Sequence, residues 1–342
     1  MQRDSAMPQT APSQNPFAHG RSQALRLGLG MAALGRPGYI NLGHGEDYQD
    51  GRSVEAMQAR AWQVLDAAWD AGVRYFDAAR SYGRGEAFLG AWLAARQVPA
   101  DAVTVASKWG YTYTADWQVD ADRHEVKDHR LPVLERQWAE TREHLGHWLD
   151  LYQIHSATFD SGVLDDAQVH GALARLKSDG LRIGLTLSGP TQADVLRRAM
   201  DIRVDGVRLF DAVQATWNLL EPSAGPALAQ AHAEGLGVIV KEALANGRLT
   251  DRNTAPGFAE RRQRLSALAA RLGVGLDAVA LAAALAQPWA DVVLSGAATT
   301  AQLQANLTAS KVNWDADAEA AVEALQEAPD TYWRTRAALA WN

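Results

Sequence analysis

A single-domain (β/α)₈ barrel is the fold class this sequence predicts, and three observations predict it. Eight short apolar runs alternate with amphipathic stretches of helical length over most of the chain. The 342 residues suit an α/β barrel, which runs to roughly 250 residues, with additions. The composition, 47% hydrophobic and 21% charged, is able to bury a large core. A doubly wound open sheet is the alternative that the same alternation allows.

Taken in order, residues 1–24 are rich in Gln, Ser, Pro and Ala, with no apolar run of signal or membrane-span length, and are expected to form a flexible tail on a cytoplasmic protein. The barrel domain with a C-terminal helical extension is expected over 25–342. Its strands are expected in LRLGLG from Leu25, VRYFDA from Val73, VTVASK from Val103 and LDLYQI from Leu149. The second four are LRIGLTL from Leu181, FDAVQAT from Phe210, GVIVKE from Gly237 and DVVLSG from Asp291. Between them, Val54 to Ala71, Val133 to Leu145, Asp166 to Asp179, Gln192 to Met200 and Pro226 to Glu234 repeat apolar residues at three- and four-residue spacing, the period of a one-sided helix.

The charge balance narrows the partners. A net charge of −7 without a basic cluster argues against nucleic acid and anionic membrane surfaces. With no cysteine, the chain has no disulfide, thiolate metal site or cysteine nucleophile. A small-molecule substrate is the expected partner.

A barrel of this class carries its chemistry at the C-terminal ends of its strands. There the second run ends at Asp77, with Tyr82 in the turn that follows; the third ends at Lys108 and the fourth at His155. The Asp, the Tyr and the His each have a plain structural explanation, as a loop cap, a core phenol or a structural imidazole. Together they suggest more: an Asp–Lys pair on adjacent strands, beside a phenol and an imidazole, is an acid–base constellation. The ammonium is expected to lower the phenol's pKa from its ordinary value of about 10.

At these residues the chain resembles the aldo-keto reductases. FDAARSYGRGEAFLGAWL is similar to that family's Asp–Tyr signature, ASKWG to its lysine strand and DLYQIH to its histidine strand; VQATWNLL, GVIVKEALANGRLT and LSGAATTAQLQANL resemble its last three strand segments. The resemblance, from about Leu25 to Ser310, implies an NAD(P)H-dependent oxidoreductase that exchanges hydride with an aldehyde or ketone, or runs the reverse oxidation of an alcohol or sugar. Tyr82 would be the proton donor, tuned by Lys108 and Asp77, with His155 orienting the carbonyl. No metal is implied. The implied cofactor-binding positions are Thr186, Ser188, Gln214, Lys241, Leu244, Gly296, Gln302 and Asn306, and the implied substrate-pocket residues are Trp109 and Trp217.

Several positions depart from the family. Thr186 and Leu187 replace a Ser–Asn pair, with Ser188 one residue on as a substitute. Lys241 stands where relatives place a stacking aromatic, free to approach the pyrophosphate or to pair with Glu242. Ala298 and Gln302 replace the arginine of NADPH-preferring relatives, and Ala305 an acidic residue, so weak discrimination between NADP(H) and NAD(H) is expected unless Arg248 supplies the missing charge. In the long segment after the third strand, Trp109 is expected in the pocket ahead of Tyr111, Tyr113 and Trp117. Trp333 and Trp341 are expected to seal the barrel's flank rather than its mouth. Two other functions are open: a Schiff-base aldolase using Lys108 or Lys241, and a catalytically weak nucleotide-binding sensor or partner subunit.

Overall fold

The computed structural model describes Phe17, residues 25–48 and residues 51–342. Among these, eight strands close a barrel: β1 (Leu27–Gly30), β2 (Tyr75–Asp77), β3 (Thr104–Trp109), β4 (Leu149–Ala157), β5 (Arg182–Leu187), β6 (Ala212–Thr216), β7 (Gly237–Lys241) and β8 (Val292–Ser295). Each neighbours its sequence neighbours, β1 closes on β8, and the pairings are parallel. Each of the eight predicted runs therefore coincides with a strand, although β3 extends one residue and β4 three residues past the run's end. The open sheet is excluded by the closure of β1 on β8, where Leu27 opposes Val293.

Helices follow the strands: α1 (Val54–Asp70), α2 (Gly85–Ala95), α3 (Leu131–Leu145), α4 (Ala167–Ser178), α5 (Gln192–Met200), α6 (Gly225–Ala233), and then the pair α7 (Ala259–Leu272) and α8 (Leu276–Ala286). After β8 come α9 (Thr300–Leu307), α10 (Ala316–Val322) and α11 (Pro329–Ala337). The first helix shows why the pattern folds this way. Ser53 caps it by accepting from the Ala56 amide, and Met57, Ala61, Val64, Leu65 and Ala68 form one buried stripe. Each large apolar side chain so buried contributes about 1.5–3 kcal/mol.

The barrel interior is filled, not hollow. A Cβ on Gly28 would lie 3.0 Å from the side chains of Tyr75, Val292 and Leu294, so a larger residue at this inward position on β1 would force those side chains to shift. Below it, Phe17 packs edge-on against Tyr75 with ring centroids 5.4 Å apart, in a cluster with Leu151, Ile239 and Leu294. The rest of the expected N-terminal tail lies outside the described residues, but Phe17 itself is held at the barrel's base.

Two irregularities shape the opposite end. The pairing of β4 with β5 shifts register between Ile154 and Ala157, which bulges the chain at His155 and Ser156 and turns those side chains toward the mouth. The chain terminus returns across the mouth: Asn342 and Tyr39 exchange backbone hydrogen bonds of 3.2 Å in both directions. Trp341 thereby lies 4.7 Å above the Arg36 guanidinium and stacks on His124 at 4.0 Å. Of the two C-terminal tryptophans, Trp333 on α11 does join the core, but Trp341 covers the mouth, contrary to expectation.

Candidate active site

The strand ends bring four predicted residues together. Lys108, fully buried at the end of β3, donates to the Asp77 carboxylate at the end of β2, to the Ala78 carbonyl at 2.9 Å and to the Tyr82 hydroxyl at 3.2 Å. Asp77 also accepts from Gln214 Nε2 on β6 at 3.0 Å, so both its oxygens are engaged. His155 stands edge-on to Tyr82 with ring centroids 5.6 Å apart, and its Nδ1 lies 3.5 Å from Ser81 Oγ. Asp77, Tyr82 and His155 all face one cavity of about 220 Å³ at the barrel mouth, with Lys108 behind them.

The electrostatics correct one expectation. Burial pushes the Tyr82 phenol well above its ordinary value, the Asp77 carboxylate adds to the rise, and Arg36 opposes it. Tyr82 is therefore a neutral phenol at pH 7, the form a proton donor needs. Burial likewise lowers Lys108, with Asp77 opposing. Burial, followed by the charges of Lys108, Lys241 and Arg36, holds His155 well below the ordinary imidazole range, so it is neutral at pH 7.

The remaining predictions divide. Ser188, Gln214, Lys241, Leu244 and Gly296 line the cavity. Thr186 does not: it is fully buried and accepts from the Ser156 amide at 2.7 Å, supporting the bulge that presents His155. Ser188 is thus the polar group that β5 offers. Gln302 and Asn306 line a second chamber of about 190 Å³, which shares Asn41, Leu244 and Gly296 with the first.

Neither predicted pocket tryptophan faces the cavity. Trp109 is fully buried against His129, at 5.6 Å between centroids, and Trp217 packs on Trp289 at 5.8 Å. Both are core residues. The long segment after β3 folds back as a hairpin, Tyr111–Tyr113 against Glu125–Lys127, and it is Tyr111 and Glu125 that reach the cavity. Alternation alone would put Tyr111 on the same face as the buried Trp109; Gly110 between them has a φ of 108°, which breaks the extended run.

The sequence also missed a wall of paired charges. Arg36 donates to Glu125 at 2.9 Å and to the Ser81 carbonyl at 2.9 Å. Glu242 accepts from Arg336 Nε at 2.9 Å and from Thr216 Oγ1 at 3.2 Å; Lys241 donates to the same Thr216 oxygen at 2.9 Å and lies 3.7 Å from Glu242. Burial alone would raise Glu242, but Arg336 and Lys241 overcome it and hold the carboxyl at about 2. Burial lowers Lys241 to about 8. The expected pairing of Lys241 with Glu242 is present. Arg248 is excluded as a free charge, since it is committed to Glu327 at 2.6 Å.

Non-glycine residues with positive φ gather on this rim: Ser156 at 53°, Glu242 at 56° and Asn246 at 54°. Backbone strain of this kind, of order 1–3 kcal/mol per residue, persists where the surrounding structure enforces it, commonly at binding sites. Asn246 Oδ1 is buried with no hydrogen-bond partner among the described residues, and a Cβ on Gly296, at the junction of the chambers, would stand in open space. An acceptor awaiting a donor and a side-chain-free junction between two chambers fit an extended polar ligand with two heads.

Comparison with known proteins agrees. Residues 26–327 match the sequence model described as the Aldo/keto reductase family. A Pseudomonas protein named D-threo-aldose 1-dehydrogenase is 31% identical over 210 residues, a match that spans 55% of this chain and 60% of that relative's length. Two solved structures share the fold. An aldo-keto reductase from Bacillus halodurans, in its holo form, has a TM-score of 0.65 at 20% identity, covering 89% of this chain and 92% of its own. A glycerol dehydrogenase from Gluconobacter oxydans has a TM-score of 0.67 at 19% identity, covering 92% and 95%.

Proposed function

Since this chain belongs to the aldo/keto reductase family, we propose that it is an NAD(P)-dependent oxidoreductase that interconverts a hydroxylated aldehyde or ketone and the corresponding alcohol, or a sugar and its oxidised form. The observation that carries this reading is the 3.2 Å approach of Lys108 Nζ to the Tyr82 hydroxyl in a cavity that also holds His155.

Gly296, Leu244, Ser188 and Asn246, lying along the joined chambers, would hold the cofactor. Bound there, a nicotinamide supplies or accepts the hydride. The protein's own residues handle the proton and the charge. In reduction, Tyr82 gives its hydroxyl proton to the substrate oxygen. Lys108 stabilises the phenolate left behind, and Asp77 holds Lys108 in place. His155, neutral and with Nδ1 toward Ser81, offers Nε2–H as a second donor to the same oxygen, so that charge developing there meets two preset hydrogen bonds. In oxidation the phenolate takes the alcohol proton back.

The wall supports this substrate class. The Arg36–Glu125 and Arg336–Glu242 pairs, with Ser156 and Trp341, offer donors, acceptors and an aromatic face to a polyhydroxylated molecule. The name of the Pseudomonas relative supports the same class. The test is to follow reduced cofactor at 340 nm with a panel of aldoses, polyols and simple aldehydes. Turnover with at least one, abolished in Tyr82→Phe, is expected; cofactor binding without turnover of any would favour a sensor.

A further inference from the structure

We propose that the second chamber selects NAD(H) over NADP(H), and that Asp47 enforces this by occupying the arginine that would otherwise receive a 2′-phosphate. The inference rests on the proposed nicotinamide-dependent function and goes beyond the weak discrimination expected from sequence.

The charged residues on the chamber wall are Asp251, Arg252 and Asp277. Arg252 is engaged at both terminal nitrogens. Its Nη1 donates to Asp47 Oδ2 at 3.0 Å, to the Gly43 carbonyl at 2.8 Å and to the Leu42 carbonyl at 3.2 Å, and its Nη2 meets the other Asp47 oxygen. Asp47 is buried, with only 4% of its side chain exposed, so the charge it cancels is cancelled at close range. Two neutral donors of the wall are engaged too. Gln302 bridges Asp47 at 2.8 Å and the Ala298 amide at 2.8 Å, and Asn306 donates to Ser295 Oγ at 2.8 Å. Arg262 pairs with Asp251 at 3.5 Å. Arg248 is held by Glu327.

A 2′-phosphate brings a charge near −2 and needs charge-assisted donors. Here it meets carboxylates and an arginine already neutralised. A ribose 2′-hydroxyl is donor as well as acceptor, and the same carboxylates can accept from it. The chamber therefore favours the unphosphorylated cofactor.

The test is equilibrium titration of the purified enzyme with NADH and with NADPH, read by quenching of its 12 tryptophans. NADH is expected to bind at least about tenfold more tightly, which is about 1.4 kcal/mol. Added salt should narrow that gap by screening the repulsion of the phosphate. Asp47→Asn, which releases Arg252, should raise NADPH affinity more than NADH affinity and shrink the ratio; in Asp47→Asn/Arg252→Ala this gain should vanish. NADPH binding as tight as NADH in the wild type overturns the selectivity, and a ratio unmoved by Asp47→Asn overturns the role of Asp47. Should that variant fail to fold, the wild-type ratio and its salt dependence decide alone. Binding of neither cofactor sinks the proposed function itself, an outcome distinct from a reversed preference.

Discussion

Lys108 Nζ lies 3.2 Å from the Tyr82 hydroxyl and donates to Asp77 from the same ammonium. Burial keeps the phenol protonated, so in the proposed reaction a cation in this position acts after the proton has left.

Tyr82→Phe is therefore expected to reduce kcat by at least about 10², the low end of general-acid contributions, with little change in cofactor affinity. The change deletes one oxygen and adds no bulk. A variant retaining a tenth or more of wild-type kcat on the best substrate would remove Tyr82 from the mechanism.

Replacing Lys108 by Met should be as damaging to kcat and should also destabilise the protein by about 3–5 kcal/mol, since it strands the buried Asp77 carboxylate. Asp77→Asn should be milder, because the amide oxygen still accepts from Lys108 and Gln214 can turn its own amide to match. Thermal melts and kcat for the two variants check the order. An active Lys108→Met beside an inactive Asp77→Asn would reverse it.

How far this site was legible in the sequence depended on whether a residue acts alone or through a partner from elsewhere. Apolar runs are local signals, so they located Asp77, Lys108 and His155 near their strand ends, although β3 and β4 run one and two residues past Lys108 and His155. Trp109 and Trp217 were misplaced because an aromatic at a strand end reads the same whether it faces the mouth or the helical layer. The bulge at His155 and Ser156 shifts the facing of residues in a way that alternation does not record; Thr186 is taken up by the Ser156 amide, and Ser188 faces the cavity. The pairs Arg36–Glu125, Glu242–Arg336 and Asp47–Arg252 join residues 89, 94 and 205 positions apart, and no local signal links them.

Lys241 is the cavity group expected to titrate in the working pH range. Held at about 8, it loses its charge there, whereas His155 is neutral well below that pH and Tyr82 is protonated well above it. Its folded pKa lies below the unfolded reference of about 10.4, so the charged form is a cost to folding below pH 8 that is relieved as pH rises through this window. For activity, kcat/KM should fall above about pH 8 in the wild type, and Lys241→Gln should lack that inflection. An inflection that stays in place in the variant belongs to another group.

The last prediction concerns the tie between the C-terminal helix and the barrel. Glu242 at the end of β7 is held at about 2, against an unfolded value of about 4.3, by Arg336 on α11. A carboxylate depressed in the folded state contributes stability that is present above the unfolded pKa and lost as pH falls through the folded one. Arg336→Leu should then cost about 3 kcal/mol at pH 7, the lower end for breaking a buried pair, since Lys241 and Thr216 still face Glu242. That deficit should shrink between about pH 4.3 and pH 2, where the wild type surrenders the same interaction by protonation. Urea midpoints of both proteins at pH 7 and across the acid range check it. A deficit that persists undiminished at the acid end would mean that Arg336 stabilises α11 through its packing on Trp333, 5.5 Å from the guanidinium, and not through the charge of Glu242.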